Sequence, residues 1–446
     1  MVTQIPDKIH ELVERFDRGR RTYSSPTYNE TQVRREFIDP LFAALGWDID
    51  NTLGYADAYK DVIHEDRLMI GGARKAPDYS FRVGGVRKFF VEAKKPSVNL
   101  HDDPLPAYQL RRYAWNAKLP LSVVTDFDEF VVYDCRHQPQ PQDSASAHRL
   151  LYVRADEYDT RWHEIADVFS KEAVLRGNFD DYAVAVKGKR GTTEVDRIYL
   201  AEMEEWRRLL AKNLMLRHSL TQPELNFAVQ QIIDRIVFLR ICEDRGIESY
   251  GELQGTLSSP NVYNELVQIF KRADDRYNSG LFHFHAERNR LDAPDVLTPD
   301  LAIDNRVLTR IIKRLYYPIS PYDFKILPLD ILGQIYERFL GQVIRLTPGG
   351  RAVVEPKPQV RKAGGVYYTP TYIVEHIVDR TLTPILSKLN PGSASRVRVL
   401  DPASGSGSFL LVAFDRLLKW HLEFYQNSRS RTYRSRIYQG AGGATT

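Results

Sequence analysis

Apolar residues recur along this chain with two different periods, and the changes between them mark its organisation. At the N-terminus, MVTQIPDKIHELVERF has the pattern of an amphipathic helix. In NETQVRREFIDPLFAAL, Val33, Phe37, Leu41 and Leu45 fall at helical spacing, which predicts a helix over residues 29–45 closed by LGWD. Glu36, set among Arg34, Arg35 and Asp39, reads as part of the solvated face of that helix. Strand patterns follow at 78–83 and 86–94, joined by Gly84-Gly85, a pair suited to a tight hairpin turn. AYQLRRYAWNA then predicts a short helix, and LSVVTDFDEFVVYD a further pair of strands turning near Asp126–Glu129. Residues 1–150 therefore read as one α/β domain.

Residues 151–198 read as a mixed connector ending in KGKRGTTEVD, and residues 199–345 as a connector domain that is helical nearly throughout. In LNFAVQQIIDRIVFLRICEDRG, Phe227, Ile232, Ile236 and Leu239 fall on one side before a glycine stop. Arg235, Arg240, Glu243 and Arg245 in this stretch read as structural ion pairs. No fixed-period repeat is visible, which argues against a solenoid. The Gly-, Pro- and basic-rich loop TPGGRAVVEPKPQVRKAGG marks the next boundary. Beyond it, residues 346–428 run loop, helix, strand, Gly-rich turn, helix. Residues 429–446, with Arg429, Arg431, Arg434 and Arg436, read as a disordered, solvated basic tail.

Composition changes this picture little. With 446 residues and 43% hydrophobic positions, the chain is too long for one ordinary core and apolar enough to fold. No apolar run approaches the roughly 20 residues that span a bilayer, and the N-terminus lacks a secretory signal, so a soluble, cytoplasmic protein without a membrane partner is expected. Cys135 and Cys242 lie far apart, which excludes a four-cysteine zinc site and a disulfide framework. His283 and His285 alternate with Phe282 and Phe284 and read as one polar face of a short extended segment rather than as metal ligands. A net charge of +4 permits a phosphate-rich partner without requiring one.

Two constellations carry chemistry. In RVRVLDPASGSGSFLLVAF, Val397, Val399 and Leu400 predict a short buried strand, with Asp401 at its carboxyl end and Gly405 and Gly407 in the turn before a helix. Ligands of open α/β sheets bind at such strand ends. Glycines let the backbone approach a ligand, and a strand-end carboxylate bonds an ammonium or a ribose hydroxyl. The same residues also suit an ordinary strand–helix turn packed on glycine. The whole string DPASGSGSFL resembles the cofactor loop of adenine-type DNA methyltransferases, and GGVYYTPTYIVEHIVDRTL resembles the motif that precedes it there. That resemblance implies the start of a Rossmann-like domain that binds S-adenosylmethionine. By the same resemblance, Tyr368, Thr369 and Pro370 hold the methionine part, Asp401 bonds its amino group, and Pro402, Ala403, Gly405, Gly407 and Phe409 complete the loop. The family's Asn-Pro-Pro-Tyr-like tetrapeptide, which grips a flipped-out adenine, has no counterpart. Ser320-Pro321-Tyr322 is only a fragment of it, on the wrong side of the loop. An incomplete methyltransferase domain, unable to transfer a methyl group alone, is therefore expected.

The second constellation is Asp78, Glu92 and Lys94 in APDYSFRVGGVRKFFVEAKKP. Residues two apart on a strand share a face, so Glu92 and Lys94 project together, and the hairpin returns the chain beside Asp78. Two carboxylates next to a lysine suit Mg2+, held by Asp78 and Glu92, and a water to be activated. A surface hairpin with one ion pair is the plainer reading, with Phe89, Val91 and Ala93 buried and Glu92 and Lys94 wet. The segment resembles the PD-(D/E)xK nuclease core. Glu30 matches the acidic helix residue of that core, in preference to Glu36, and Gln109 with Tyr113 matches a Gln-x-x-x-Tyr element of some members. Read whole, the order of nuclease-like α/β domain, helical connector and adenine-type methyltransferase resembles single-chain type IIG restriction–modification enzymes. The resemblance covers residues 25–425 and includes FIDPLFAALGWD, WRRLLAKN, IIDRIVFLRICEDRGI and LGQIYERFLG. It implies metal-dependent cleavage of double-stranded DNA in phage defence, in a chain truncated after the cofactor motif. The alternative is a subunit of a split system, completed by a second chain that supplies the rest of the methyltransferase and target recognition.

Overall fold

The structure is a computed structural model that describes residues 5–55, 59–64, 77–186, 195–277, 280–286, 293–327, 329–347, 352–358, 369, 371–404 and 407–427. Ile9, Leu12 and Phe16 form the buried stripe of helix α1 (Asp7–Tyr23). The helix expected at 29–45 is present as α2 (Glu30–Val33), one π-helical turn (Arg34–Ile38) and α3 (Asp39–Ala44), with Val33, Phe37, Leu41 and Leu45 all buried. Pro40 explains the π-turn: it has no N–H to continue the helical ladder. The carbonyl of Glu36, four residues earlier, accepts instead from Arg15 Nη2 at 3.0 Å.

Strands β1 (Val62–His64), β2 (Tyr79–Val83), β3 (Val86–Ala93), β4 (Leu121–Thr125), β5 (Glu129–Asp134) and β6 (Arg149–Arg154) pair in sequence order into one mixed sheet. Only β3 and β4 run parallel, and α4 (Pro104–Asn116) makes the crossover that parallel neighbours need. Gly84 and Gly85, at φ 58° and 82°, supply the two left-handed positions of the β2–β3 turn. Alternation then sorts the strands between two cores. Phe81, Phe89, Val91, Val123, Phe130 and Val132 join α1, the 30–44 helix, α5 (Tyr158–Phe169), α6 (Lys171–Arg176) and α7 (Asn178–Ala185). Phe90, Val124, Val131 and Tyr133 join Leu110, Tyr113 and Ala114 of α4 on the other side. Strand β6 runs across position 150, and Tyr158, Trp162, Ile165 and Phe169 pack on the sheet, so residues expected as a connector help build its core.

Helices α8 (Val195–Arg217), α9 (Gln222–Asp244), α10 (Glu252–Gly255), α11 (Val262–Tyr277) and α12 (Asn305–Lys313) follow. On α9 the buried face is Leu225, Ala228, Val229, Ile232, Ile236 and Leu239, whereas Phe227 is 42% exposed. Counting back from Leu239 in alternating steps of three and four reaches 232, 228 or 229, and 225, and skips 227. Most of the expected ion pairs are internal: Arg235 meets Asp295 at 2.8 Å, and Arg240 meets Asp244 at 2.7 Å and Glu243 at 3.6 Å with its guanidinium over the Tyr316 ring, whereas Arg245 makes none among the described residues. His283 is buried between Phe282 and Phe284 in a loop while His285 is exposed, so the two do not share a polar face. Both cysteines are buried free thiols.

Leu329–Arg345 and Val353–Thr446 make a second compact unit, apart from the one that holds Met1–Pro328 and Leu346–Ala352. It contains α13 (Leu329–Leu340), α14 (Thr371–Leu386), α15 (Pro391–Ala394) and α16 (Ser408–Asn427). Strands β7 (Gln342–Leu346) and β8 (Ala352–Pro356) pair only with each other among the described residues. Val374, Val378, Leu382 and Leu386 of α14 form a small core with Ala394 and Ala413. The strand expected at 397–400 is not formed, and Leu400 is 86% exposed. A strand needs a neighbour to satisfy its N–H and C=O groups, and no described strand lies beside this segment. No described helix is long and apolar enough to cross a membrane.

Candidate active site

The β2–β3 register pairs Tyr79 with Val91, and one further step sets Asp78 across from Glu92. Asp78 is buried where β2 begins, and its Oδ2 accepts the Ala93 N–H at 2.9 Å. Lys94 follows the last residue of β3, with its N–H held by the Thr125 carbonyl at the end of parallel β4. Its Nζ donates to Glu92 Oε1 at 2.6 Å and to Gln109 Oε1 at 3.3 Å, while Gln109 Nε2 donates to the same Glu92 oxygen at 2.6 Å. Asp78, Glu92, Lys94 and Gln109 thus form one cluster at one end of the sheet. Glu92 is fully buried, not wet as a surface hairpin would have it, because α4 covers this side of the sheet. Tyr113, one turn beyond Gln109, hydrogen-bonds with it, and burial first and Glu92 second push its phenol well above the ordinary range.

Arg34, expected on a solvated face, turns inward instead. Its Nη1 donates to Asp78 Oδ1 at 3.3 Å and its Nε to the Tyr79 hydroxyl at 3.0 Å, with the guanidinium 4.4 Å over the Tyr79 ring. Its Nη2 meets His64 Nδ1 at 3.0 Å, and His64 Nε2 meets the Ile49 carbonyl at 3.1 Å. The second contact makes Nε2 the protonated nitrogen and leaves Nδ1 to accept. The Tyr79 hydroxyl in turn donates a hydrogen bond to Asp39 Oδ1 at 2.7 Å. Glu30, the first residue of α2, lies one turn before Arg34, whose N–H bonds the Glu30 carbonyl. Glu36 pairs with Arg15 at 3.0 Å and takes no part. Sequence reasoning missed Arg34 and His64. The available signal was the position of Arg34, four residues after Glu30 on the same helix.

In the second unit, Asp401 Oδ1 accepts the Ala403 N–H at 3.1 Å, while its Oδ2 is buried without a hydrogen-bond partner among the described residues. Gly407 has φ 77°, a conformation that side chains resist, and an added Cβ would meet open space there. Phe409 packs against the small core, and Pro402 and Ala403 are exposed. Thr369 lies just ahead of α14; Tyr368, Pro370 and Gly405 lie outside the described residues, as does the tail from 428.

Residues 328–438 match the N-6 DNA methylase family. The chain is 36% identical over 95% of its length to the Escherichia coli protein described as type II restriction enzyme and methyltransferase RM.Eco57I, of which it covers 42%. It is 26% identical, over 41% of its length and 35% of the relative's, to the type I restriction enzyme MjaIX methylase subunit of Methanocaldococcus jannaschii. A solved structure of the type IIG restriction endonuclease BpuSI aligns with 88% of this chain and 37% of its own, at 13% identity and a TM-score of 0.26. The chain thus spans less than half the length of these relatives. By sequence it is similar to a type II restriction enzyme and methyltransferase, and its residues 328–438 match the N-6 DNA methylase family.

Proposed function

We propose that this chain is a restriction–modification protein of the cytoplasm that cleaves double-stranded DNA at the Asp78–Glu92–Lys94 cluster and binds S-adenosylmethionine at the Asp401 loop. The observation that carries the first part is the cluster itself: Lys94 and Gln109 converge on a carboxylate buried at the end of a sheet. The donor set fits Mg2+. Asp78 and Glu92 offer hard oxygens, and among the described residues no larger His, Cys, Asp or Glu group forms a metal cage. Mg2+ commonly takes only one or two carboxylates and completes its shell with water and phosphate oxygens. Bound there, the cation would offset charge on the phosphate and acidify a water. Lys94 orients the attacking water, Gln109 fixes Lys94 and Glu92 together, and Glu30, one turn before Arg34, is the acidic helix residue of this reading. In the second unit, Asp401 Oδ2, buried and unbonded among the described residues, fits the amino group of S-adenosylmethionine, and the left-handed Gly407 admits its close approach.

Cleavage of plasmid DNA with Mg2+ tests the reading. Glu92→Gln, which keeps the shape of the side chain, and Lys94→Ala are each expected to lower the rate at least 100-fold, in line with losses at positioned acid–base groups. Lys94→Ala also leaves buried Glu92 without its cation, so unfolding should become easier by about 3–5 kcal/mol, whereas Glu92→Gln should stay folded. Undiminished cutting by both variants would remove the nuclease assignment. The exposed strand-forming residues Val399 and Leu400 favour a methyltransferase completed by further polypeptide, in this or a second chain. Restored methylation of adenine on adding a chain with the Asn-Pro-Pro-Tyr element tests that part.

A further inference from the structure

We propose that Arg34 is a positioning residue that acts through Asp78, an anchored resident cation against which a divalent metal must compete. The inference rests on the nuclease reading above and concerns how that site loads its metal. Among the described residues, each carboxylate of the pair has its own cation: Lys94 for Glu92 and Arg34 for Asp78. The two contacts differ. Lys94 sits 2.6 Å from its partner, whereas the Arg34–Asp78 bond is 3.3 Å long. The guanidinium is fixed from elsewhere, by Tyr79 below its plane, by the Tyr79 hydroxyl at Nε and by His64 at Nη2. Arg34 therefore does not depend on Asp78 for its place. It keeps a positive charge beside the carboxylate whether or not a metal is there, while Asp78 Oδ2 stays tied to the Ala93 N–H.

Like charges repel strongly in such a half-buried setting, by amounts that move binding equilibria about tenfold or more. Arg34 accordingly holds metal affinity down until DNA phosphate brings further negative charge, which couples metal loading to substrate binding. A purely structural Arg34 has the opposite signature, because removing a residue that merely orients Asp78 weakens metal binding.

The test is titration of the DNA-free protein with Mn2+, reading free Mn2+ by electron paramagnetic resonance. Arg34→Met, which keeps length and removes charge, is expected to bind Mn2+ about tenfold more tightly, and Arg34→Lys, which keeps the charge, within twofold of the unaltered protein. Unchanged or weaker binding by Arg34→Met overturns the proposal. Should that variant not fold, Tyr79→Phe loosens the Nε anchor and is expected to tighten Mn2+ binding by about threefold; unchanged affinity there overturns it equally. Asp78→Ala separates this from the parent reading. Loss of Mn2+ binding and cleavage in Asp78→Ala upholds the metal site whatever Arg34 does, and their survival removes the site and the proposal together.

Discussion

Among single residues, Asp126 makes the clearest claim on stability. It stands in the turn between β4 and β5, wholly buried, and its Oδ1 accepts the Glu129 N–H at 2.7 Å. Burial first, and the neighbouring Glu129 second, push its carboxyl well above the usual carboxylate range. A carboxyl raised on folding favours the native state below its unfolded value, and that advantage is lost as pH rises through the folded value. Asp126→Asn keeps an acceptor for the Glu129 N–H and removes the ionisation. It should therefore raise the melting temperature at pH 8 and leave it nearly unchanged at pH 4. A gain of about 1 kcal/mol corresponds to roughly 1–2 °C in a unit of this size, measurable by thermal unfolding at the two pH values. Cys135 shows the same physics in a thiol: burial pushes it up to about 12, which keeps it protonated and unreactive.

Helix α4 joins the site to the helical part of its own unit. Gln109 faces Glu92 and Lys94, while Asn116, seven residues on, donates to the Pro321 carbonyl at 2.8 Å and accepts the Asp323 N–H at 3.0 Å. Arg112 adds a bond to the Tyr322 carbonyl at 3.1 Å, and the Phe324 N–H is held by Asp244, the partner of Arg240. Asn116→Leu leaves the buried Asp323 N–H unsatisfied, at about 1–3 kcal/mol, while the Pro321 carbonyl keeps Arg112 Nε at 3.3 Å. The expected result is easier unfolding in urea by about 1–3 kcal/mol, with slower cleavage because Gln109 loses its fixed backbone. Much of this was legible: the hairpin, α4, β4 and β5, and the nearness of Asp78, Glu92 and Lys94 follow from alternation and the hairpin, while Gln109 came only through the resemblance to a nuclease core. What was not legible has a common cause. Periodicity shows which residues share a face but not which layer covers it, so Glu92 reads as wet until α4 is seen above it. Local irregularity hides more: the π-turn forced by Pro40 lies where Arg34 leaves the solvent side. Ser320-Pro321-Tyr322, a fragment of a base-binding pattern by composition, proves to be the buried strip on which α4 is fastened.

At the scale of the whole molecule, the two units hold very unequal cores. The first buries long aromatic and aliphatic clusters on both faces of its sheet. Among its described residues the second has a cluster of four α14 residues and two alanines, with Ile335, Phe339 and Ile344 buried besides, and leaves Leu411, Phe414 and Leu418 of α16 exposed at helical spacing. So small a core is marginal on area alone, so two calorimetric transitions are expected, the lower belonging to the second unit. A ligand that binds only the folded form adds RT ln(1 + [L]/Kd), about 2.7 kcal/mol at a hundredfold excess over Kd. S-adenosylmethionine should therefore move the lower transition upward and leave the upper one in place. Asp401→Ala removes the buried oxygen proposed to meet the cofactor's amino group and should abolish that shift, while Glu92→Gln should preserve it. If the lower transition ignores the cofactor in the unaltered protein, the Asp401 loop does not bind it, and its likeness to a cofactor loop records descent alone.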